Sequence, residues 1–273
     1  MRARLRSLRG PGLLVVPAAL LVVVLVGLPV VRLVWSAAGP GGSAGVDEFV
    51  TVLGSGVWWT AVGVGAAVAV AVALVQLTLA LAFAGALRHV ESVWPVARIL
   101  LLLPLGFFGV VTAFASGAAV DGGFVATWFE LDDPGPTTRL AAVAAGEAWR
   151  TLGVVTVIVY LGLARVPRRV MDQAVVDGMT PWQRWRRVVL PIAAPALALA
   201  AVYRVLDSWR LVDGPILADR TGDVTRTAPL VVWDTAFGSY DTALAAAAAI
   251  VLLVLSLVLA TAAAFALRGV ARR

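Results

Sequence analysis

Long apolar runs separated by short charged loops dominate this chain. Six segments, 13–35, 57–87, 96–119, 141–164, 191–212 and 242–267, are mostly apolar. Each meets the length of about 20 residues that a helix needs to cross a bilayer's hydrocarbon core. The last is an Ala/Val/Leu run without a charge between Asp241 and Arg268. The second is longer than one crossing requires, which predicts tilt or an end that projects from the lipid. The pattern therefore predicts an all-α membrane protein with six transmembrane helices, and no soluble domain, internal repeat or disordered tract. The Gly-, Pro- and Ala-rich stretch at 37–46 reads as a flexible connector.

The first run is preceded by Arg2, Arg4, Arg6 and Arg9 and followed by Ser36-Ala37-Ala38, as a secretory signal would be. Its 19 apolar residues from Leu13 to Val31 exceed the core of a signal peptide, about 7–15 residues, so an uncleaved anchor is expected. Arginine placement then sets the orientation. With the N-terminus in the cytoplasm, fifteen arginines are inside: Arg2, Arg4, Arg6, Arg9, Arg88, Arg98, Arg165, Arg168, Arg169, Arg184, Arg186, Arg187, Arg268, Arg272 and Arg273. Three lie outside, Arg139, Arg220 and Arg226, among Asp47, Glu48, Asp121, Glu130, Asp132, Asp133 and five later aspartates. Basic loops stay on the cytoplasmic side, so both termini are expected there.

Composition narrows the chemistry. Hydrophobic residues make up 61% and charged ones 14%, with mean hydropathy +0.94. A soluble domain carries roughly a quarter charged residues, so this surplus of apolar surface needs lipid as its solvent. The net charge of +6 belongs to arginines at the ends of apolar runs, which argues for membrane orientation and against a nucleic-acid partner. No cysteine is present, which excludes disulfides and thiol chemistry. The single histidine, His89, follows Arg88 and reads as a surface residue; a cluster of imidazole metal ligands is impossible. All 22 basic residues are arginine, so the P-loop lysine that grips nucleotide phosphates is missing. If ATP drives this protein, another chain binds it.

The loop at 165–191 stands apart from the others. The spacing predicts a first short helix over 168–176, stopped at Asp177-Gly178 because glycine accepts positive φ. A second begins with Thr180 as N-cap, Pro181 at the first helical position and Gln183 three residues after the cap. Pro191 is expected to open the next span. An amphipathic helix resting on lipid headgroups is the competing reading of this string.

These residues resemble the loop of binding-protein-dependent ABC permeases. That loop begins Glu-Ala-Ala, has glycine seventh, and after nine intervening residues ends Ile-x-Leu-Pro. Asp172, Ala174, Gly178, Val188, Leu190 and Pro191 fall in register with it. Asp172 stands for the usual glutamate and Gln173 for the first alanine. The resemblance extends over about residues 55–270. Glu147-Ala-Trp149-Arg150, Leu161 to Pro167, Tyr203 to Trp209 and Trp233 to Phe237 are similar to the carbohydrate-uptake group, in particular the first permease of actinobacterial trehalose/maltose-type importers. Ala218 to Gly222 departs from the glycine-rich outer loop of that group.

The resemblance implies a type I ABC importer permease fold and a division of the chain. Residues 1–54 would hold the tail, first span and outer loop, and 55–270 the permease core. It implies a non-catalytic transport subunit for a sugar, most simply a disaccharide, in the bacterial plasma membrane. The partners would be a second permease subunit, a cytoplasmic ABC ATPase dimer holding ATP and Mg, and an extracellular sugar-binding lipoprotein. This chain would bind no cofactor itself. The ATPase-coupling residues would be Asp172, Ala174, Asp177, Gly178, Met179, Trp182, Trp185, Leu190 and Pro191. Gly178 would set the angle, and Met179, Trp182 and Trp185 would anchor in a partner pocket.

Charges inside the spans carry the remaining signal. Arg32, Glu147, Arg150, Arg204, Asp207 and Arg210 lie within or at the ends of apolar runs. A charge there costs from about 2.5 kcal/mol upward, so each must face protein or water. Arg204, Asp207 and Arg210 are spaced by three and share one helix face. They could pair structurally, or Glu147 and Asp207 could accept sugar hydroxyls with Trp149, Tyr203 and Trp209 stacking beside them. Trp35, Trp58 and Trp59 read as interfacial residues. A secondary transporter or channel would want an inverted repeat or a buried proton- or ion-binding carboxylate; Glu147 or Asp207 could serve, but no repeat is visible and the 165–191 loop would go unexplained. A membrane enzyme would need a nucleophile–base pair or metal site that the composition barely allows. An ABC permease for amino acids, peptides or phosphate esters is the third alternative.

Overall fold

The computed structural model describes residues 12–38, 44–88, 94–130, 132, 134–211 and 226–271. Arg2, Arg4, Arg6, Arg9, His89, the middle of the 37–46 connector and the Ala218–Gly222 stretch lie outside the described residues. Those described are nearly all helical. In chain order the helices are α1 (Gly12–Ala38), α2 (Ala44–Gly54), α3 (Gly56–Leu87), α4 (Trp94–Leu102), α5 (Gly109–Val120), α6 (Phe124–Phe129), α7 (Pro136–Ala164), α8 (Arg168–Val176), α9 (Pro181–Arg184), α10 (Leu190–Trp209), α11 (Ala228–Trp233) and α12 (Thr242–Ala271). Six stretches among them are long and apolar enough to cross a membrane: Ala19–Ala37, Gly56–Leu87, Gly109–Phe129, Pro136–Ala164, Pro181–Trp209 and Thr242–Val270.

Three spans differ from the sequence expectation. The third, expected as one helix over 96–119, is broken. A 3₁₀ turn at Leu103–Gly106 follows α4, and Phe107 and Phe108 are extended before α5 begins. Pro104 has no N–H to give, and its ring obstructs the preceding turn. The fourth starts at Pro136, five residues before the expected 141, because Gly135 caps it and proline fits the first helical position. The fifth does not start at Pro191. Helix continues from Pro181 to Trp209 through a π-helical turn at Trp185–Val189, in which the Leu190 N–H donates to the Trp185 carbonyl five residues back. That wider turn carries the helix past the proline, whose missing N–H and bulky ring would interrupt a regular α-helix there.

The described residues form two compact units. One comprises those up to Ser55 together with Val232–Val254. In it α1 and α2 are in contact, and the rings of Trp233 and Phe237 lie 4.3 Å apart. The larger unit comprises Gly56–Val231 and Leu255 onward, and α7 is its hub, touching α3, α4, α5 and α10. Association in lipid has no hydrophobic drive, so small residues must let backbones approach closely. Helix α3 turns Ala61, Gly65, Ala69, Ala73, Ala80 and Ala84 inward at helical spacing. A Cβ on Gly153 would strike the Leu101 carbonyl, and one on Gly162 would strike the Ala196 side chain. The core joins Ala80 and Ala84 to Val155, Val159, Tyr160 and Leu163 of α7 and to Val189, Ala193 and Ala200. Trp58, expected at the membrane interface, is buried instead, whereas Trp35 and Trp59 are exposed.

Candidate functional site: the 165–191 loop and the α7–α10 charge ladder

Helix α8 ends in a Schellman motif. The Gly178 N–H donates to the Val175 carbonyl at 3.0 Å and the Met179 N–H to the Ala174 carbonyl at 3.0 Å. Gly178 takes φ +72, the left-handed conformation this closure requires. Thr180 then caps α9 reciprocally: its hydroxyl accepts from the Gln183 N–H at 3.3 Å, and the Gln183 side chain accepts from the Thr180 N–H at 2.9 Å. Two turns that the sequence specifies locally thus fold the loop back on itself.

The loop residues divide between an inner and an outer face. Ala174 is buried, and Met179, Trp185 and Leu190 are half-buried. Trp185 packs with Met171 and Val188 against the core, so it anchors the loop to its own chain. Asp172, Asp177, Gly178 and Pro191 are exposed, and Trp182 is 67% exposed. Val175 and Val176, which sequence reasoning passed over, are exposed too, Val176 at 86%. Their signal was available in principle: two β-branched apolar residues in the last turn of a short helix whose other face was already filled by Met171 and Ala174.

Five of the six charges in or at the ends of the spans assemble into one ladder across α7 and α10, whereas Arg32 is exposed on α1. Arg150 grips Glu147 with two bonds, Nε to Oε2 at 2.8 Å and Nη2 to Oε1 at 2.6 Å. Arg204, fully buried, donates from Nη1 to Asp207 Oδ2 at 2.6 Å and lies 3.9 Å from Glu147 Oε1. Arg210 Nη2 stands 3.7 Å from Asp207 Oδ1. Charges alternate along the series Arg150, Glu147, Arg204, Asp207, Arg210. Burial of Glu147 and Arg204 demands this pairing, since an isolated ion there would be far costlier, while Arg210 at the end of the series is exposed. Gln76 of α3 extends the polar region, its amide donating to the Ala148 carbonyl at 2.6 Å and to Thr151 Oγ1 at 2.8 Å. A lone glutamine inside an apolar run was the available signal for that residue.

The proposed aromatic companions separate. Trp149 is 52% exposed, and its ring centroid lies 6.0 Å from that of Phe107 on the broken third span. Tyr203 is half-buried beside the core. Trp209 is buried and donates to Ser256 Oγ of α12 at 2.9 Å, a structural tie. Among the described residues no three His, Asp or Glu side chains come together as metal ligands.

A polytopic helical chain with this loop between two packed spans has the architecture of a transport permease. A solved alginate ABC transporter has a chain that superposes with TM-score 0.80 at 18% identity, over 96% of this chain and 97% of that one. Residues 76–272 match the family of binding-protein-dependent transport system inner membrane components, and the chain belongs to that family. It is therefore a multi-pass membrane transport component and not an enzyme. The trehalose transport system permease protein SugA of Mycobacterium tuberculosis is 27% identical over 90% of this chain and 84% of its own length. The sulfoquinovosyl glycerol permease SmoG of Agrobacterium fabrum is 27% identical over 51% of this chain and 48% of its own. The sn-glycerol-3-phosphate permease UgpA of Escherichia coli is 26% identical over 91% of this chain and 90% of its own.

Proposed function

We propose that this chain is the path-forming permease of an ATP-driven sugar importer, with a disaccharide as cargo and both termini in the cytoplasm. In this reading residues 55–270 hold the permease core and 1–54 the tail, first span and outer loop. A second permease completes the path, an ATPase dimer supplies ATP and Mg, and an extracellular binding protein delivers the sugar. The observation that carries this reading is the 165–191 loop. Its folded-back form presents Val175, Val176 and Trp182 outward with Asp172 and Asp177, a small apolar surface with acidic edges that suits a groove on a soluble partner.

The loop is also well placed as a lever. It joins α7 to α10, and α9 runs without interruption into α10. The Gly162–Ala196 contact locks the two spans near the loop, and the charge ladder locks them farther along. A push on the loop would then reach Glu147, Trp149, Tyr203 and Asp207 through stiff helices. Asp207, partly exposed, is the cargo-facing carboxylate of this proposal, braced by buried Glu147 and its partner Arg150, with Trp149 stacking on a sugar face.

The test is binding-protein-stimulated ATP hydrolysis by the reconstituted complex, in wild type and Gly178→Trp. The variant is expected to keep assembly and lose stimulation. Failure of the chain to associate with any ATPase, or unchanged stimulation in the variant, overturns the coupling role. Running the uptake arm with trehalose, maltose and glycerol 3-phosphate separates the sugar assignment from the importer assignment.

A further inference from the structure

Residues 165–191 contain six arginines and two aspartates, yet five of the arginines stand apart from both carboxylates. Among the described residues, no carboxylate lies within ion-pair distance of Arg165, Arg169, Arg184, Arg186 or Arg187. The Arg184 Nε is buried with no hydrogen-bond partner. The contrast with Arg139, Arg150 and Arg204 is sharp: each of those holds a carboxylate at 2.6–2.7 Å. Nothing in the sequence forbade pairing in the loop, since Asp172 and Asp177 are exposed and close in the chain.

Position explains the separation. Arg165 follows the last residue of α7, and Arg169 lies in the first turn of α8. Arg186 and Arg187 immediately precede Val188 in the helix that becomes the next span. Four of the unpaired guanidiniums, Arg165, Arg169, Arg186 and Arg187, therefore stand at the two ends of the loop next to the spans, while Arg184 lies in α9 with its Nε buried. The aspartates, Gly178 and Trp182 belong to the tip. Six residues of helix, about 9 Å, separate Pro181 at the tip from Arg187.

We propose that these arginines form a binding site for anionic phospholipid headgroups, which clamp both ends of the loop to the membrane surface while its tip stays free for a protein partner. A guanidinium fork matches a phosphodiester with two parallel hydrogen bonds. Basic residues next to a span attract anionic lipid with about a fivefold gain in affinity for each arginine near the surface. The site is independent of the cargo and of ATP coupling. It rests only on the loop lying at the ends of two spans.

The full-length chain, purified in mixed micelles with equimolar phosphatidylglycerol and phosphatidylcholine, tests this by native mass spectrometry of retained lipid. The wild type is expected to retain phosphatidylglycerol selectively. Arg186→Gln with Arg187→Gln is expected to lose roughly 25-fold of that selectivity, and Arg186→Lys with Arg187→Lys to keep most of it. Arg165→Gln with Arg169→Gln probes the other end independently, so a fold failure in one pair leaves the other to decide. Equal retention of the two lipids by the wild type overturns the proposal, as does selectivity that survives both glutamine pairs. Displacement of phosphatidylglycerol by an equal concentration of inorganic phosphate overturns it in favour of a free-phosphate site. Because this readout needs neither ATPase nor cargo, its failure leaves the importer reading intact, and the converse holds.

Discussion

Removing both members of the Arg204–Asp207 pair is predicted to be far milder than removing Asp207 alone. Arg204 has no exposed surface, and its Nη1 holds Asp207 at 2.6 Å. Its other anionic neighbour, Glu147, is 3.9 Å away and already engaged twice by Arg150. Asp207→Leu therefore leaves a buried guanidinium nearly uncompensated, which costs about 3–5 kcal/mol. The Nε and Nη2 atoms of Arg204 are also buried without partners, so the native pair never recovers the full desolvation of that group. Arg204→Leu with Asp207→Leu removes the whole unit, and its cost should fall to about 1 kcal/mol or less. Arg204→Leu alone should be intermediate, because Asp207 is partly exposed and keeps Arg210 nearby. The assay is reversible unfolding of the purified chain in mixed micelles with increasing dodecyl sulfate, for wild type, both single variants and the double. A double variant as unstable as the sum of the singles would refute the reasoning, since it would mean that the two charges contribute independently.

Gly153→Ala is expected to destabilise by about 3 kcal/mol or abolish folding, because the new methyl meets the Leu101 backbone carbonyl, which cannot step aside. Gly63→Ala, with nothing near its Cβ, should be neutral or slightly stabilising in the same unfolding assay. Gly178→Val should cost about 1–2 kcal/mol from the left-handed backbone alone, and Gly178→Asn clearly less, measured as hydrogen exchange of the Asp177 to Met179 amides. Thr180→Ala should cost about 1 kcal/mol by removing the cap of α9, read as faster exchange of the Gln183 amide. Gln76→Leu is expected to cost about 1–3 kcal/mol, since Thr151 and the Ala148 carbonyl lose their shared donor.

The sequence alone determined what depends on solvent and on local chain chemistry. Six apolar runs announce six crossings because lipid tolerates little else over that length. The helix over 168–176, its stop at Gly178 and the Thr180/Gln183 box are equally legible, because a Schellman turn and a capping box are contacts among residues at most five apart. Tertiary structure decided the rest. The ladder on α10 was visible as a spacing of three, but its union with Glu147 and Arg150 depends on how α7 and α10 cross, and the Gly162–Ala196 contact governs that. The division of the loop tryptophans could not be read locally, since Trp182 and Trp185 have the same chemistry and differ only in which meets the core. The break at Pro104 and the helix that continues through Pro191 make the same point. A proline marks where a regular helix is strained, and the surrounding packing settles whether the chain breaks there or winds past it in a wider turn.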